Sequence, residues 1–241
     1  MKITIIVPTY NEAENLPKLV STFFSLPVPD LNLLIVDDNS PDGTGKIADE
    51  LCCQQDGRMD VIHRSGKLGL GTAYITGFKY CIERGVQAMG QMDADFSHPL
   101  DKVVELAKNI EKYDVVIGSR YVPGGSLDER WPLWRKGLSA WGNFYARTIL
   151  GLPMRDCTGG FRLWRREVLC GMPLDRVRSN GYVFQVETAY VAHRLGYRFH
   201  EIPIYFADRR WGKSKMNFRI QLEAALRVWT LPPAYRDLRT S

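Results

Sequence analysis

A chain of 241 residues with 45% hydrophobic content can bury a full-sized core, and no low-complexity segment or internal repeat marks a linker within it. The formal net charge is only +5, but Arg and Lys crowd residues 130–219, which favours anionic partners such as phosphates or an acidic membrane surface. No nucleic-acid motif accompanies these basic residues, so we do not expect nucleic-acid binding.

The cysteines and the N-terminal residues indicate the compartment. Five cysteines are an odd number without a C-x-x-C pair, which argues against a disulfide framework and a zinc site. The chain enters a strand-like run without the regions of a signal peptide, and no apolar run is long enough to cross a bilayer. We therefore expect a cytoplasmic protein whose membrane contact, if any, is peripheral and at the cytoplasmic face.

Strand and helix patterns alternate through the first half of the chain. Short, apolar, β-branched runs predict buried strands, and longer mixed stretches between them predict helices. The predicted strands are residues 2–8, 31–36, 59–63, 88–92 and 114–118, and the predicted helices are 15–24, 45–53, a stretch that ends at Arg84, and 100–111. This alternation predicts an α/β fold with an open, mostly parallel sheet flanked by helices.

Polar residues follow these predicted strands where the strands end. They are Tyr10, Glu12, Asp37, Asp93 and Arg120. Because ligands of open α/β sheets bind beyond the carboxyl ends of the strands, we expect these residues to share one cleft.

A glycine-rich stretch, Gly66–Gly71, precedes the third predicted helix. It lacks the G-x-G-x-x-G order and does not follow the first strand, which argues against a dinucleotide-binding fold. We interpret it as a tight connection, or as a turn that lets backbone approach a nucleotide closely.

The segment Met92–Pro99 reads Met-Asp-Ala-Asp-Phe-Ser-His-Pro, directly after a predicted buried strand. Two carboxylates one residue apart, Asp93 and Asp95, can hold Mg²⁺ or Mn²⁺ from one side and leave other positions to phosphate oxygens and water. The same residue types are also typical of a turn that caps the next helix. The shared cleft favours the metal, and with it a nucleotide-sugar diphosphate.

The segment Trp131–Arg147 interleaves aromatic residues with Arg and Lys, which is the composition of an interfacial helix. The alternative is that its tryptophans pack in the core beneath a basic surface. A second amphipathic helix is predicted over residues 218–229, stopped by Pro232 and Pro233, and it either lies on the membrane or covers the domain.

These patterns divide the chain at residue 217. Residues 1–217 form the expected catalytic domain, which includes the helices at about 131–150, and residues 218–241 form a C-terminal amphipathic helix and tail. We expect any anchoring to come from the amphipathic surface or from a separate membrane-anchoring partner protein.

Seven motifs carry a resemblance to a known family. The early motifs are Val7–Glu12, Val36–Thr44, Met92–Pro99 and Gly118–Tyr121, and the later ones are Asp156–Arg162, Gly181–Glu187 and Asp208–Met216. The early set resembles the inverting family 2 glycosyltransferases with a GT-A fold. The later set narrows this to the polyprenol (dolichol) phosphate mannose synthases. The resemblance runs from Lys2 to about Phe218.

The resemblance implies a hexosyltransferase that moves mannose, with inversion, from GDP-mannose to a polyprenyl monophosphate. It implies that Pro8, Tyr10, Glu12 and Asp37 surround the nucleoside. It also implies Mg²⁺ or Mn²⁺ as cofactor.

The metal end of the site, by the same resemblance, consists of Asp93, Asp95 and the position of Ser97. Many relatives have Gln at that last position, so direct contact and contact through water both stay open for Ser97.

The remaining implied residues contact phosphates. Arg120 faces the donor phosphates, Arg209 and Lys215 flank the transferred group and the acceptor phosphate, and Arg135 and Ser139 lie on the acceptor phosphate. Among all of these, Asp95, Arg120, Arg209 and Lys215 are the expected catalytic residues.

Three alternatives remain at this stage. The donor can be a UDP-sugar, or the chain can be a non-catalytic nucleotide-sugar sensor. The acceptor can also be a sugar hydroxyl, which needs a general base, whereas a lipid phosphate is already ionised and needs none. Glu187 is the candidate base, and its alternative role is that of a structural carboxylate paired with an arginine.

Overall fold

The computed structural model describes residues 1–208 and 218–238, with side chains in the second range from residue 225 onwards. A seven-stranded mixed sheet forms the centre of this part of the chain. Its strands are β1 (Ile3–Thr9), β2 (Leu31–Asp37), β3 (Met59–His63), β4 (Ala88–Gln91), β5 (Val115–Ser119), β7 (Arg162–Arg165) and β8 (Phe199–Pro203). A separate two-stranded ribbon pairs β6 (Ser126–Leu127) with β9 (Tyr205–Phe206).

Helices cover both faces of the sheet. They are α1 (Leu16–Phe24), α2 (Thr44–Cys52), α3 (Leu70–Glu83), α4 (Lys102–Asn109), α5 (Leu133–Leu150), α6 (Arg166–Gly171), α7 (Gly181–Arg194) and α8 (Phe218–Ala234). Helices α1, α2 and α4 pack in one apolar cluster with Ile5 and Val7 of β1, whereas α3 and α5 to α8 pack in the other with Ile6. Burial on both faces explains why the strands read as continuous apolar runs.

The strand order is β3-β2-β1-β4-β7-β5-β8, and β7 alone in this sheet runs antiparallel to its neighbours β4 and β5. The predicted α/β fold with a mostly parallel sheet is therefore confirmed. The chain builds β1 to β3 in one direction and then returns to the other side of β1 with β4. Such a reversal is where open α/β sheets bind ligands.

The cleft opens because the neighbours of β1 differ in length. Strand β1 pairs with β2 as far as Thr9 beside Asp37, but with β4 only as far as Ile6 beside Gln91. Beyond that point Pro8 has no N–H to offer a neighbour on either side. The residues after β4 are thereby free to diverge and form a loop.

Most predicted boundaries lie within two residues of the observed ones, but the predicted stop at Pro232 and Pro233 is wrong. Helix α8 continues through both prolines to Ala234. Both prolines lie in its last turn, and the buried side chains of Leu231 and Tyr235 hold that turn against the core. Sequence patterns also gave no indication of β6 to β9, α6 or α7.

The described half of α8 covers the domain, with Val228 and Leu231 buried and Leu226 and Trp229 exposed. Within the described residues, no helix combines the length and the apolar character needed to span a bilayer.

Candidate active site

Asp37 ends β2 with a carboxylate that is held in one orientation. It is 2% exposed, and its Oδ1 accepts hydrogen bonds from the hydroxyls of Thr9 (3.0 Å) and Ser40 (2.6 Å). Its Oδ2 accepts the backbone N–H of Ser40 at 3.1 Å. The strand end therefore presents a fixed acceptor beside the end of β1.

Tyr10 and Glu12 follow β1 at the same edge of the sheet. The Lys67 ammonium lies 4.2 Å from the centre of the Tyr10 ring, which brings the glycine-rich stretch over this end of the cleft. The Glu12 carboxylate accepts a hydrogen bond from Asn15 at 2.7 Å, and the Glu12 N–H donates to Thr44 at 2.9 Å. With Pro8 and Asp37, all four residues predicted to surround the nucleoside lie at the carboxyl ends of β1 and β2.

The loop after β4 carries the paired carboxylates. Asp93 lines the cleft, while Asp95 is 6% exposed and accepts the Ser97 N–H at 3.0 Å. Between them and the next helix, Phe96 has a φ of 61°, a conformation that costs energy for a bulky side chain. The loop is therefore a tight, specific structure rather than a simple helix cap.

His98 supports this loop from beneath. It is 3% exposed, stacks on Phe161 with ring centres 5.1 Å apart, and its Nδ1 accepts the Asp93 N–H at 3.0 Å. Burial lowers the pKa of His98, which favours the neutral ring. Because Nδ1 accepts a hydrogen bond, the neutral ring carries its proton on Nε2. We assign His98 a structural role in orienting Asp93.

The residues of this loop fit a divalent cation. The hydroxyl of Ser97 is buried and accepts or donates no hydrogen bond among the described residues, a state that a ligand or water would relieve. No group of three or more His, Cys, Asp or Glu side chains in the described ranges has the arrangement of a metal site. Two carboxylates and a hydroxyl are still a suitable set for Mg²⁺ or Mn²⁺, since such ions take their other ligands from phosphates and water.

Arg120 follows β5 and is bound to a buried carboxylate. Its Nε and Nη2 each donate to Asp156 at 2.8 Å, its backbone N–H donates to the same group at 3.0 Å, and Nη2 also reaches Thr158 at 2.8 Å. Burial opposes the charge of both partners, but their attraction raises the pKa of Arg120 and lowers that of Asp156. The pair therefore stays charged.

One pocket joins the loop after β4 to Arg120. Its lining includes Asp93, Arg120, Thr158, Tyr182 and Phe206. The structure thus brings two of the predicted strand-end residues, Asp93 and Arg120, to the same cavity. The predicted residues Arg209 and Lys215 lie outside the described residues.

Arg135 and Ser139, predicted to contact an acceptor phosphate, lie on α5. Each contacts a residue that follows one of the strands near this pocket. The guanidinium of Arg135 lies 3.5 Å from the centre of the Trp131 ring and donates to Asp208 at 3.3 Å. The hydroxyl of Ser139 is 2.7 Å from that of Tyr121, the residue after Arg120. Helix α5 is therefore tied to both the end of β5 and the end of β9.

Glu187 is a buried structural carboxylate and not an exposed base. It is 2% exposed, and its two oxygens accept hydrogen bonds from the Tyr235 hydroxyl and the Ser179 N–H, each at 2.8 Å. The expected arginine partner is thus replaced, among the described residues, by a hydroxyl and a backbone amide.

Helix α5 presents an apolar face to solvent. The large side chains that α5 exposes are Leu133, Trp134, Trp141 and Phe144, at helical spacing. On α8, Leu226 and Trp229 are exposed as well, and the Trp229 indole donates to the Tyr145 hydroxyl, whose ring stacks on Trp141. We call these six exposed residues the apolar face. Trp131, in contrast, is buried, so core packing applies to that tryptophan only.

Several residues of the pocket were not singled out from the sequence. Asp156, Thr158 and Tyr182 lie in two of the family motifs but had no role assigned to them, and Phe206 lies in a stretch without a clear pattern. A signal was available in Asp156-Cys157-Thr158-Gly159-Gly160, since an Asp shortly before two glycines favours a turn whose carboxylate binds nearby N–H groups.

The chain is similar to known glycosyltransferases. The family model described as glycosyl transferase family 2 matches residues 4–171. An undecaprenyl-phosphate mannosyltransferase of Micrococcus luteus is 43% identical over 241 residues, which cover 99% of this chain and 98% of the relative. A polyprenol monophosphomannose synthase of Mycolicibacterium smegmatis is also 43% identical, over 93% of this chain and 84% of the relative.

A solved structure shares the fold. A mannosyltransferase from Pyrobaculum calidifontis, in complex with GDP-Man and Mn²⁺, superposes with a TM-score of 0.62 at 17% identity. The match covers 98% of this chain and 67% of that one. At this identity the likeness concerns the fold alone.

Proposed function

The chain belongs to glycosyl transferase family 2 and, within it, to the polyprenyl-phosphate mannosyltransferases, and we propose that it transfers mannose from GDP-mannose to a polyprenyl monophosphate. The observation that carries this proposal is 43% identity over nearly the full length to two relatives named for that reaction. The family resemblance of the sequence motifs is confirmed, and the chain is a glycosyltransferase.

The nucleoside end of the donor lies, in this proposal, at the carboxyl ends of β1 and β2. Asp37 supports it because its carboxylate is fixed by three hydrogen bonds and can accept from a base or a ribose. Tyr10 offers an aromatic surface, and Lys67 beside it adds positive charge for a diphosphate.

The diphosphate lies in the pocket that Asp93 and Arg120 line. Asp93, Asp95 and Ser97 would hold a divalent metal, since the carboxylates supply charge and the Ser97 hydroxyl is buried without a partner among the described residues. When bound, Mg²⁺ or Mn²⁺ neutralises the charge that develops on the departing diphosphate. Arg120 adds a permanent positive charge at the same place.

The reaction forms a bond between an acceptor phosphate oxygen and the anomeric carbon, and breaks the bond from that carbon to the diphosphate. Attack from the opposite face inverts the configuration, and charge on the sugar is oxocarbenium-like in the transition state. The acceptor oxygen is already ionised, so no side chain has to remove a proton. Glu187, the candidate base, is buried and accepts two hydrogen bonds. This supports transfer to a phosphate over transfer to a hydroxyl, which would need a base at the site.

The acceptor phosphate would meet Arg135 and Ser139 on α5, with Arg209 and Lys215 as further cations from outside the described residues. The same helix carries most of the apolar face, with Trp134 70% and Phe144 63% exposed. Aromatic side chains next to Arg and Lys suit the headgroup region of a bilayer. We therefore place the apolar face against the cytoplasmic membrane surface, where the lipid acceptor lies. A separate membrane-anchoring protein is compatible with this placement.

The test is transfer of labelled sugar to a short polyprenyl phosphate. GDP-mannose and UDP-glucose are compared as donors, each with Mg²⁺, Mn²⁺ or EDTA. We expect labelling from GDP-mannose only, with either metal, and none in EDTA. Labelling from UDP-glucose alone would overturn the donor, and labelling of a sugar hydroxyl instead of the lipid phosphate would overturn the acceptor.

A further inference from the structure

Glu187 and Tyr235 form a buried hydrogen-bonded pair that the transfer reaction does not use. Glu187 lies in the second turn of α7, and Tyr235 lies just beyond α8, at 2% and 1% exposure. Burial and the neighbouring carboxylate raise the pKa of Tyr235, so the hydroxyl keeps the proton that it donates. Burying a carboxylate is costly unless its oxygens are bonded, so this pair has a structural purpose.

The second oxygen of Glu187 holds the start of α7. It accepts the Ser179 N–H at 2.8 Å, and Ser179 is followed by Asn180, by Gly181 with a φ of 58°, and by Tyr182. Tyr182 is half exposed and lines the pocket together with Asp93 and Arg120. The 179–182 segment therefore joins the buried pair to the pocket.

The opposite side of this segment packs on the start of α3 without room to spare. A Cβ on Gly71 would lie 2.5 Å from the Ser179 carbonyl oxygen, and a Cβ on Gly69 would lie 2.8 Å from the Asn180 side-chain oxygen. The two glycines end the glycine-rich stretch that brings Lys67 over Tyr10. The segment is thus enclosed by α3 on one side and by Glu187 on the other.

Further contacts attach the residues after α8 to the same region. Arg176 donates to both carboxylate oxygens of Asp237, at 2.7 and 2.8 Å, and to the Ala234 carbonyl at 2.5 Å. Arg227 of α8 lies 3.5 Å from the Ser179 hydroxyl. The end of α8 is therefore fixed to the chain on the N-terminal side of the 179–182 segment.

We propose that Glu187 and Tyr235 are positioning residues, which act through the Ser179 amide to hold the 179–182 segment and so fix Tyr182 at the pocket. The inference rests on the proposed function only in treating this pocket as the site of transfer. It gives α8, which also carries part of the apolar face, a role in the geometry of the site. It also explains a buried acidic residue at a position where a general base was one alternative.

The experiment compares Tyr235→Phe with Tyr190→Phe by amide hydrogen exchange. Tyr190 is a matched control because it is a buried tyrosine of α7 whose hydroxyl contacts Arg194 and not the 179–182 segment. We expect peptides that contain residues 179–182 to exchange about tenfold faster in Tyr235→Phe, the effect of losing one hydrogen bond to a charged group. We expect Tyr190→Phe to exchange like the wild type there, and β1 and β2 to stay protected in both variants.

Kinetics provide the second readout. In Tyr235→Phe we expect kcat for sugar transfer to fall at least about threefold, because Tyr182 would no longer be held in its position at the pocket. The GDP-induced thermal shift should be unchanged, because the nucleoside end lies at β1 and β2. Glu187→Gln is the second variant, and it should act in the same direction because its NH₂ group replaces one of the two accepting oxygens and cannot accept the hydrogen bond made there.

The outcomes are distinct. Unchanged exchange of residues 179–182 in both Tyr235→Phe and Glu187→Gln would overturn the inference, and so would faster exchange with unchanged kcat. A loss of kcat of about a hundredfold or more in Glu187→Gln, with unchanged exchange, would instead identify a general base. If the wild-type protein transfers no sugar, the proposed function fails, and the exchange comparison then decides the positioning role by itself.

Discussion

Arg120 and Asp156 form a buried, bidentate ion pair in which each of two guanidinium nitrogens lies 2.8 Å from a carboxylate oxygen. Asp156 also accepts the backbone N–H groups of Arg120 and Gly159, so it fixes both the side chain and the loop that follows β5. A charge that lines the pocket is thereby held in one position before any ligand arrives, which is how enzymes stabilise developing charge at little reorganisation cost.

We expect Asp156→Asn to lower the free energy of unfolding by about 3–5 kcal/mol, because it leaves the Arg120 charge buried without its partner. Transfer activity should fall about 100-fold, since the guanidinium loses its fixed position. Urea unfolding and the labelled-sugar assay measure the two effects. The control is Asp175→Asn, which removes an exposed ion pair with Lys79 and should leave stability nearly unchanged.

The pH dependence of stability follows from the same pair. Burial alone would raise the pKa of Asp156, but Arg120 lowers this pKa below its ordinary value of 3.8. Its contribution to stability is therefore present above that ordinary value and is lost as the pH falls through the lowered folded-state value. Equal acid sensitivity in the wild type and Asp156→Asn would contradict this account.

The sequence was sufficient to predict the strands and helices whose pattern of burial is regular. Strands such as β1 and β2 are covered on both faces, so their apolar runs are unmistakable, and the polar residues after them marked the correct edge of the sheet. Helix α7 was missed because it is buried on nearly all sides and carries polar residues inward, including Gln185 and Glu187. A helix without a polar face has no amphipathic pattern to detect.

The contacts that build the site could not be predicted from the sequence, because they join residues that lie far apart in the chain. Asp156 meets Arg120 across 36 residues, and β7 inserts antiparallel between β4 and β5. No local pattern encodes such pairings, which depend on the finished fold.

The paired carboxylates give a further prediction: Asp95→Ala should abolish transfer with little loss of folding. We expect folding to persist because Asp95 lies in the loop after β4, outside the helices and strands that pack the core. Asp101→Ala is the matched control, since Asp101 begins the next helix without a side-chain cap. Activity and thermal midpoint are measured for both. Activity that survives in Asp95→Ala, or in metal-free buffer, would be incompatible with the metal site.

A substitution of Ser97 tests the same metal site through the melting temperature of the protein. Its hydroxyl is buried without a described partner, so Ser97→Ala should leave the melting temperature of the metal-free protein unchanged or raise it. The same variant should show a smaller gain in melting temperature on addition of GDP with Mn²⁺, because a ligand to the ion is lost. An equal gain in the variant and the wild type would mean that Ser97 does not contact the ion.

The apolar face predicts binding to lipid vesicles. Trp134→Ser combined with Trp141→Ser should weaken co-sedimentation with anionic vesicles about tenfold, given the apolar area that the two rings can bury. Leu68→Ser is the control, because Leu68 is 56% exposed on the glycine-rich stretch, which contributes no residue to the apolar face. Binding that also weakens with salt would indicate a contribution from Arg and Lys to lipid phosphates. Equal losses in the tryptophan variant and in Leu68→Ser would argue against this face.

Two glycines make opposite predictions for the same substitution. Gly71→Ala places a Cβ 2.5 Å from the Ser179 carbonyl oxygen and 2.9 Å from the Phe184 ring, so the backbone has to shift. We expect a loss of about 1–3 kcal/mol in the free energy of unfolding, as for other overpacked sites.

Gly142→Ala, inside α5, meets no atom within 4 Å and should gain about 0.5–1 kcal/mol, because alanine loses less backbone entropy in a helix. Urea unfolding of both variants gives the comparison on one scale. The structure further requires that Gly71→Ala reduce kcat, since it displaces the segment that carries Tyr182, whereas Gly142→Ala should not. A stabilised and fully active Gly71→Ala would mean that α3 does not press on the 179–182 segment, and the enclosure argued for that segment would then be lost.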